Sequence, residues 1–276
     1  MQLELIIVCL LVSFRCCLGQ SQGSLRIING AAAKLKQFPY QVALQVYFTN
    51  SGGEPSTCGG TIISPRWILT AAHCLQEPKT VLQKILVIAG AVNLTTPNSA
   101  GSVQMWIKKS DTIVHPNYDR GTVAFDIGLI KLPRELKMSD SIRAAKLPKR
   151  KDKALYVGRT AIVSGWGLMA KQQTTDLLQY LTVKIISNKQ CEQAWNDQLK
   201  GDKKLMLNSF LCTDSSKGLP CLGDSGGPLV LDDGSRTIVG IVSHGYDEKC
   251  VIRVPDIFTR VSSFRNWIEK YTGQLA

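Results

Sequence analysis

Histidine is scarce in this chain of 276 residues, which has three: His73, His115 and His244. A reaction that needs a base near neutral pH must draw on one of them, because imidazole has an unperturbed pKa of about 6.5. No cysteine pair stands two apart beside partner histidines, so the ligand spacing of a zinc site is missing. The loop after Ala89 has Asn93 and Asn98 but no carboxylate before Asp111, which leaves no obvious acidic cluster for calcium. Neither a metal nor a cofactor is expected in the chemistry. Beyond the N-terminus no run is long and apolar enough for a membrane-spanning helix. Internal repeats, low-complexity tracts and signs of an accessory domain are missing too.

What is present begins with an apolar run over residues 5–14, too short to span a bilayer comfortably. The compact residues Cys17 and Gly19 follow, so residues 1–19 read as a signal peptide cleaved after Gly19, although Arg15 beside the run is untypical. The expected location is therefore secreted and extracellular. Nine cysteines become six once Cys9, Cys16 and Cys17 leave, an even set for an exported chain and three disulfides by number. Counting alone leaves fifteen connectivities open.

Bases outnumber acids, 33 to 21, and without residues 1–26 the net charge is +11. Lys146, Lys149, Arg150, Lys151 and Lys153 carry part of that excess. Such a run reads either as an acidic-polymer site or as a solvated loop between strands. No aromatic interleaves it before Tyr156, so nucleic acid is not an expected partner.

Three segments carry chemistry: Thr70-Ala71-Ala72-His73-Cys74, then Asp126-Ile127-Gly128-Leu129-Ile130, then Gly223-Asp224-Ser225-Gly226-Gly227-Pro228-Leu229. Amide hydrolysis needs a nucleophile, and a serine hydroxyl is a poor one until a base takes its proton and returns it to the leaving amine. In the order His, Asp, Ser, these segments resemble the trypsin/chymotrypsin family of serine endopeptidases, from Ile27 to about Tyr271. The resemblance makes His73 the base and Ser225 the nucleophile. Asp126 would accept from His73 and set its tautomer. The backbone N–H groups of Gly223 and Ser225 would form the oxyanion hole.

The same resemblance selects one disulfide set: Cys58–Cys74, Cys191–Cys212 and Cys221–Cys250. It also makes residues 20–26 an activation propeptide. Cleavage after Arg26, before Ile27-Ile28-Asn29-Gly30, would free an ammonium at Ile27 to fold inward and pair with Asp224.

The substrate pocket departs from the family pattern. Leu219, followed by Pro220, stands where trypsins carry an aspartate six residues before the serine, which argues against simple trypsin-like specificity. Leu222 belongs to the same wall. Ser243-His244-Gly245 replaces the usual Ser-Trp-Gly; Ser243 would back Asp126, and His244 would line the substrate site. Asp256 sits where many relatives have glycine. It would either restore a preference for Lys and Arg or lie under Leu219 in a short apolar pocket, and a buried unpaired carboxylate is costly. The apolar, chymotrypsin- or elastase-like pocket is the expectation.

Short β-rich stretches at 41–47, 61–63, 67–70, 84–89, 127–132, 161–164 and 237–243, with turns between them, argue for an all-β architecture. The resemblance makes this two antiparallel six-stranded barrels side by side in one peptidase domain, residues 27–276, with barrels over about 27–140 and 141–258. Val261, Phe264, Trp267, Ile268 and Tyr271 fall at helical spacing before Gly273, which predicts a terminal helix over about 261–272. Asn93-Leu94-Thr95 is the single N-glycosylation sequon.

The expected protein is a monomeric zymogen of a secreted serine endopeptidase, with protein or peptide substrates, an activating trypsin-like protease and protein inhibitors as partners. A membrane partner is not expected. The alternative is a catalytically weak homologue that acts as a binding or regulatory protein. An esterase or lipase fails on order, since that class runs Ser, acid, His.

Overall fold

The computed structural model describes residues 30–275 apart from 50, 98–100, 151, 153, 169–174, 200–203 and 247–249. The expected signal peptide and propeptide, with Arg26 and Ile27, lie outside the described residues, as do Lys151 and Lys153 of the basic run. In chain order the first half has strands Ala31–Ala32 (β1), Gln41–Phe48 (β2), Ser56–Ser64 (β3), Trp67–Thr70 (β4), Leu82–Ala89 (β5), Val103–Lys108 (β6), Thr112–Val114 (β7) and Gly128–Lys131 (β8). The second half adds Thr160–Gly165 (β9), Gln179–Ile186 (β10), helix Asn188–Leu199 (α1), then Phe210–Thr213 (β11), Pro228–Leu231 (β12), Ile238–His244 (β13), Asp256–Arg260 (β14) and helix Arg265–Thr272 (α2).

All strand ladders are antiparallel and fall into two sheets. In the second, the order β10-β11-β14-β13-β12-β9 returns to β10, because β9 and β10 also pair; six strands close into a ring and β1 adds to its outside. The first sheet runs β6-β5-β2-β3-β4-β8-β7. Its two outer members, β6 and β7, follow one another along the chain through one 3-10 turn, Lys109–Asp111, so the chain itself curls from one edge to the other. Closure of the second sheet leaves it little free edge for other strands to join, whereas among the described residues no ladder joins β6 to β7, so the first sheet is a half-barrel. The expected all-β fold with two barrel-like sheets and a terminal helix matches this architecture; of the two six-stranded barrels expected, the second closes with six strands and the first is a seven-stranded half-barrel.

Side-chain alternation explains the strands. In Gln179–Ile186, Leu181, Val183 and Ile185 point into the second barrel, against Val163, Leu211, Leu229 and Phe258. In the first barrel Leu44, Ile68, Leu69, Ile85, Ile107 and Leu129 are fully buried. Each such side chain contributes roughly 1.5–3 kcal/mol by leaving water. The C-terminal segment crosses back: Val261, Phe264 and Ile268 join the large core cluster that holds most first-barrel core residues together with Val230, Ile238 and Ile241 of the second.

Helix α1 is the element that periodicity did not reveal. Its sequence, NKQCEQAWNDQL, buries two side chains, Cys191 and Trp195, four residues apart. That stripe is too narrow to stand out against polar neighbours. It is pinned by the Cys191–Cys212 disulfide and packs on Phe210 and Ile257.

The terminal helix begins later than its spacing suggests. Val261–Phe264 form a 3-10 turn, and the α-helix proper ends at Gly273, whose φ is +73°. The basic run, where described, joins the surface of this helix: Arg150 forms an ion pair of 2.7 Å with Glu269.

Candidate active site

His73 follows β4 on a tight turn closed by Leu75 N–H donating to Ala72 O at 2.9 Å. Its neighbour Cys74 is bonded to Cys58 of β3, which ties the turn to the barrel wall. Asp126 lies just before β8 with its side chain fully buried. Its Oδ1 accepts from the His73 backbone N–H at 2.9 Å, and its Oδ2 stands 2.8 Å from His73 Nδ1. A carboxylate accepts only, so the proton sits on Nδ1 and Nε2 is left free to take one. Ser243 Oγ donates to the same Oδ2 at 2.6 Å. Thr259 Oγ1 holds the Asp126 carbonyl at 2.7 Å from behind.

Burial works against charge on both partners, yet the mutual attraction prevails. Burial of the His73 ring favours its neutral form, but the Asp126 charge and its hydrogen bond hold the imidazole pKa above the ordinary value. Burial likewise favours neutral Asp126, and the charge and hydrogen bonds of His73, with the Ser243 hydroxyl, outweigh it and keep the carboxyl below its ordinary value. The result is a charged acceptor beside a ring poised to become imidazolium.

Ser225 occupies a loop stitched to both barrels. Its carbonyl accepts from Gly59 N–H of β3 at 2.7 Å, and Gly226 N–H donates to Val242 O of β13 at 2.8 Å. Gly223 has φ +98°, and a Cβ there would lie 3.0 Å from Gly167 Cα, so neither conformation nor space admits a side chain. The Cys221–Cys250 disulfide anchors the start of this loop. Thus the three cystine pairs are Cys58–Cys74, Cys191–Cys212 and Cys221–Cys250.

His73 and Ser225 open onto one cleft of about 470 Å³. Leu219, Pro220, Leu222, Ser243, His244, Gly245 and Asp256 line it too, so the structure gathers the predicted pocket residues in one place. Sequence spacing gave no warning of Glu77, Tyr118, Arg120 and Val123, which form the wall beside His73. Arg120 and Glu77 pair there at 3.2 Å, about half exposed.

At the pocket, Leu219 and Asp256 are 4% and 3% exposed. Asp256 Oδ2 is buried with no hydrogen-bond partner. Burial first, and the nearby Asp224 charge second, raise its pKa well above the carboxylate range. The favoured form is therefore the neutral acid.

Asp224 is also fully enclosed. Its Oδ1 accepts from Gly167 N–H at 2.8 Å and its Oδ2 from Cys221 N–H at 2.9 Å. Burial raises its pKa to about 6 against the pull of those two donors. It has no cationic partner among the described residues.

His244 is only partly exposed, edge-on to Trp195 at 5.9 Å and Phe210 at 5.8 Å. Its Nδ1 is 3.3 Å from Ser243 Oγ and its Nε2 is buried without a partner. Burial, with Lys204 adding repulsion, pushes its pKa down to about 3, so it lines the cleft as a neutral ring. Cys58, His73 and Cys74 cluster closely enough to suggest metal ligands, but both sulfurs are committed to their disulfide and offer no thiolate. Asn93, away from the cleft, accepts from Thr95 of its own sequon at 2.9 Å and bridges to Leu177. Among the described residues no helix is long and apolar enough to cross a membrane.

Comparison with known proteins bears on this geometry. The family model described as Trypsin matches residues 27–268. The chain is 37% identical over 254 residues to a chymotrypsin of Phaedon cochleariae, covering 90% of this chain and 83% of the relative. It is 34% identical to brachyurin of Leptuca pugilator, over 90% of this chain and 99% of that one. It is also 34% identical to human chymotrypsin-like elastase family member 3B, over 91% and 90%. Among solved structures, an HL collagenase superposes with a TM-score of 0.77 at 31% identity, covering 90% of this chain and 99% of the other.

Proposed function

The chain belongs to the trypsin family of serine endopeptidases, and from that premise we propose that Ser225, His73 and Asp126 are its catalytic triad. The carrying observation is the bonded series Ser243–Asp126–His73, opening onto the same cleft as Ser225. Ser225 Oγ attacks the scissile carbonyl while His73 Nε2 takes its proton; the proton then passes to the leaving amine, and an acyl-enzyme remains for water to hydrolyse. The N–H groups of Gly223 and Ser225 receive the oxyanion, and losing one such donor costs about 3 kcal/mol of barrier.

The secreted precursor is activated by cleavage after Arg26. The new Ile27 ammonium then pairs with Asp224, whose buried carboxylate otherwise lacks a cation among the described residues. Asp224 in turn holds the Gly167 and Cys221 amides, so the pair braces the loop that carries Gly223.

The specificity pocket takes apolar side chains. Supporting this, the neutral form of Asp256 is favoured and Leu219 occupies the pocket wall. Lys or Arg would have to ionise a carboxyl that burial keeps protonated.

The test combines labelling and profiling. Chain processed at Arg26 should react with a fluorophosphonate and uncut chain far less, with Ser225→Ala as the unreactive control. A peptide library should then be cut chiefly after apolar residues. No labelling of the processed form would favour a binding or regulatory protein instead, and dominant cutting after Lys and Arg would refute the apolar pocket.

A further inference from the structure

The backbone reaches Asp126 through strained residues. Val123 has φ +57° and Phe125 φ +56°, both in the left-handed region. A bulky side chain seldom sits there, and such a conformation persists only where its surroundings hold it. Ile127 N–H donates to Phe125 O at 2.8 Å, which closes a three-residue turn with Asp126 at its apex. The direction of the carboxylate therefore depends on what holds Phe125.

Aromatic contacts do the holding. The His115 ring lies on the Phe125 ring, centroids 4.9 Å apart and planes 21° from parallel. Phe264 turns its edge to both, 5.4 Å from His115 and 5.9 Å from Phe125. Trp267 of α2 covers His115 at 5.1 Å. The backbone reinforces the stack, since His115 N–H donates to Ile127 O at 3.1 Å. Asn117 N–H donates to His115 Nδ1 at 3.2 Å, which fixes the ring and leaves that nitrogen unprotonated. Burial favours the uncharged imidazole that such a stack requires.

We propose that His115 and Phe125 are positioning residues: their stacked rings, roofed by Phe264 and Trp267, hold the strained turn that aims the Asp126 carboxylate at His73. Both contacts to His73 depend on that aim, one oxygen taking the backbone N–H and the other facing Nδ1. The C-terminal segment thereby acts on the base from a distance, without touching substrate. The inference rests on the triad reading above.

The test uses the processed full chain, with active sites counted by fluorophosphonate titration and kinetics followed from acid to alkaline pH. Per titrated site, His115→Ala should lower kcat with KM little changed, a loss approaching the roughly hundredfold that a misplacement of about 1 Å brings. The pH at which kcat/KM falls on the acid side should drop, because Asp126 no longer holds the His73 pKa up. His115→Phe keeps a flat ring and should restore both values. If the alanine variant does not fold, His115→Leu, which keeps apolar bulk without a flat ring, is measured in its place with the same expectation. Unchanged kcat and acid limb in a titrating His115→Ala or His115→Leu would overturn the proposal, as would a His115→Phe as impaired as they are. A wild-type chain that takes no fluorophosphonate would instead overturn the triad reading, and this inference with it.

Discussion

Ser243 Oγ and Asp126 Oδ2 are 2.6 Å apart although 117 residues separate them, and the bond crosses from the second barrel to the first. It meets the oxygen that also faces His73 Nδ1. The buried carboxylate is thus held by one barrel through His73 and by the other through Ser243, while Thr259 of the second barrel holds the Asp126 backbone carbonyl.

Removing that hydroxyl gives the first prediction. A hydrogen bond to a charged group contributes roughly 1.5–3 kcal/mol, and about 1.4 kcal/mol is tenfold in rate. Ser243→Ala should therefore lower kcat/KM by at least about tenfold, with Asp126→Asn far worse, on the order of 10⁴ in kcat. Steady-state kinetics on a chromogenic peptide checks the ranking; a Ser243→Ala enzyme at full rate would show that the bond does not matter to catalysis.

A pH profile gives the second. If His73 is the base proposed above, activity needs it neutral, and its folded pKa is raised above 6.5 by Asp126. The acid limb of kcat/KM should therefore fall at a pH above 6.5 and shift downward when Asp126 is neutralised. Stability runs the other way for this ring. Its raised pKa gives a contribution that is full below the unfolded value and lost as pH climbs through the folded one. The depressed Asp126 contributes above its unfolded pKa and loses this as pH falls through its folded one. An acid limb below 6.5 would contradict the coupling.

The third concerns Asp224. A carboxyl raised from 3.8 to about 6 binds protons more readily folded than unfolded, so stability falls as pH rises between those values. The loss is on the order of 3 kcal/mol above that window. An Ile27 ammonium beside it would abolish most of this penalty. Thermal unfolding of an uncleavable Arg26→Gln chain should show a larger fall than the processed chain. Asp256 adds a fall of the same sign to both forms, so the difference between their curves is the measurement. Curves that run parallel would reject the ammonium–Asp224 pair. The amino terminus itself, raised above about 8 by its partner, should make activity decline as pH climbs through its folded pKa.

The fourth addresses specificity. Leu219→Gly should open the pocket to water, let Asp256 ionise and raise cleavage after Lys and Arg relative to apolar residues by at least about tenfold. Asp256→Asn in that background should reverse the change. Library profiles of the two variants decide the matter; a Leu219→Gly profile identical to wild type would mean that the leucine does not control the pocket.

Much of this site was legible in one dimension, because chemistry demands residue types that are rare in combination. With three histidines in the chain, His73 before Cys74 and the Gly223–Gly227 loop could be read directly, and Asp126 by resemblance. Short apolar stretches rich in β-branched residues between turn signals, such as Trp67–Thr70 and Ile238–His244, were visible as strands and are buried almost throughout. Helix α1 was not, since its burial rests on Cys191 and Trp195 alone. Strands Val103–Lys108 and Phe210–Thr213 were not either. One has an exposed Trp106 on its outer face, and the other is four residues buried on every side. In the first, Trp106 masks the alternation of Val103, Met105 and Ile107, and the second has neither a period to count nor a β-branched apolar residue.

Residue order alone sets which reactive groups exist, their succession along the chain, and a hydrophobic pattern that folds as antiparallel strands. It took the folded chain to bury Asp256 and favour its neutral form, to turn the His244 ring to Trp195 and Phe210, and to rest His115 on Phe125. The physical reason is that charge state and aim depend on distance and exclusion of water, and both are set by residues far away in the chain.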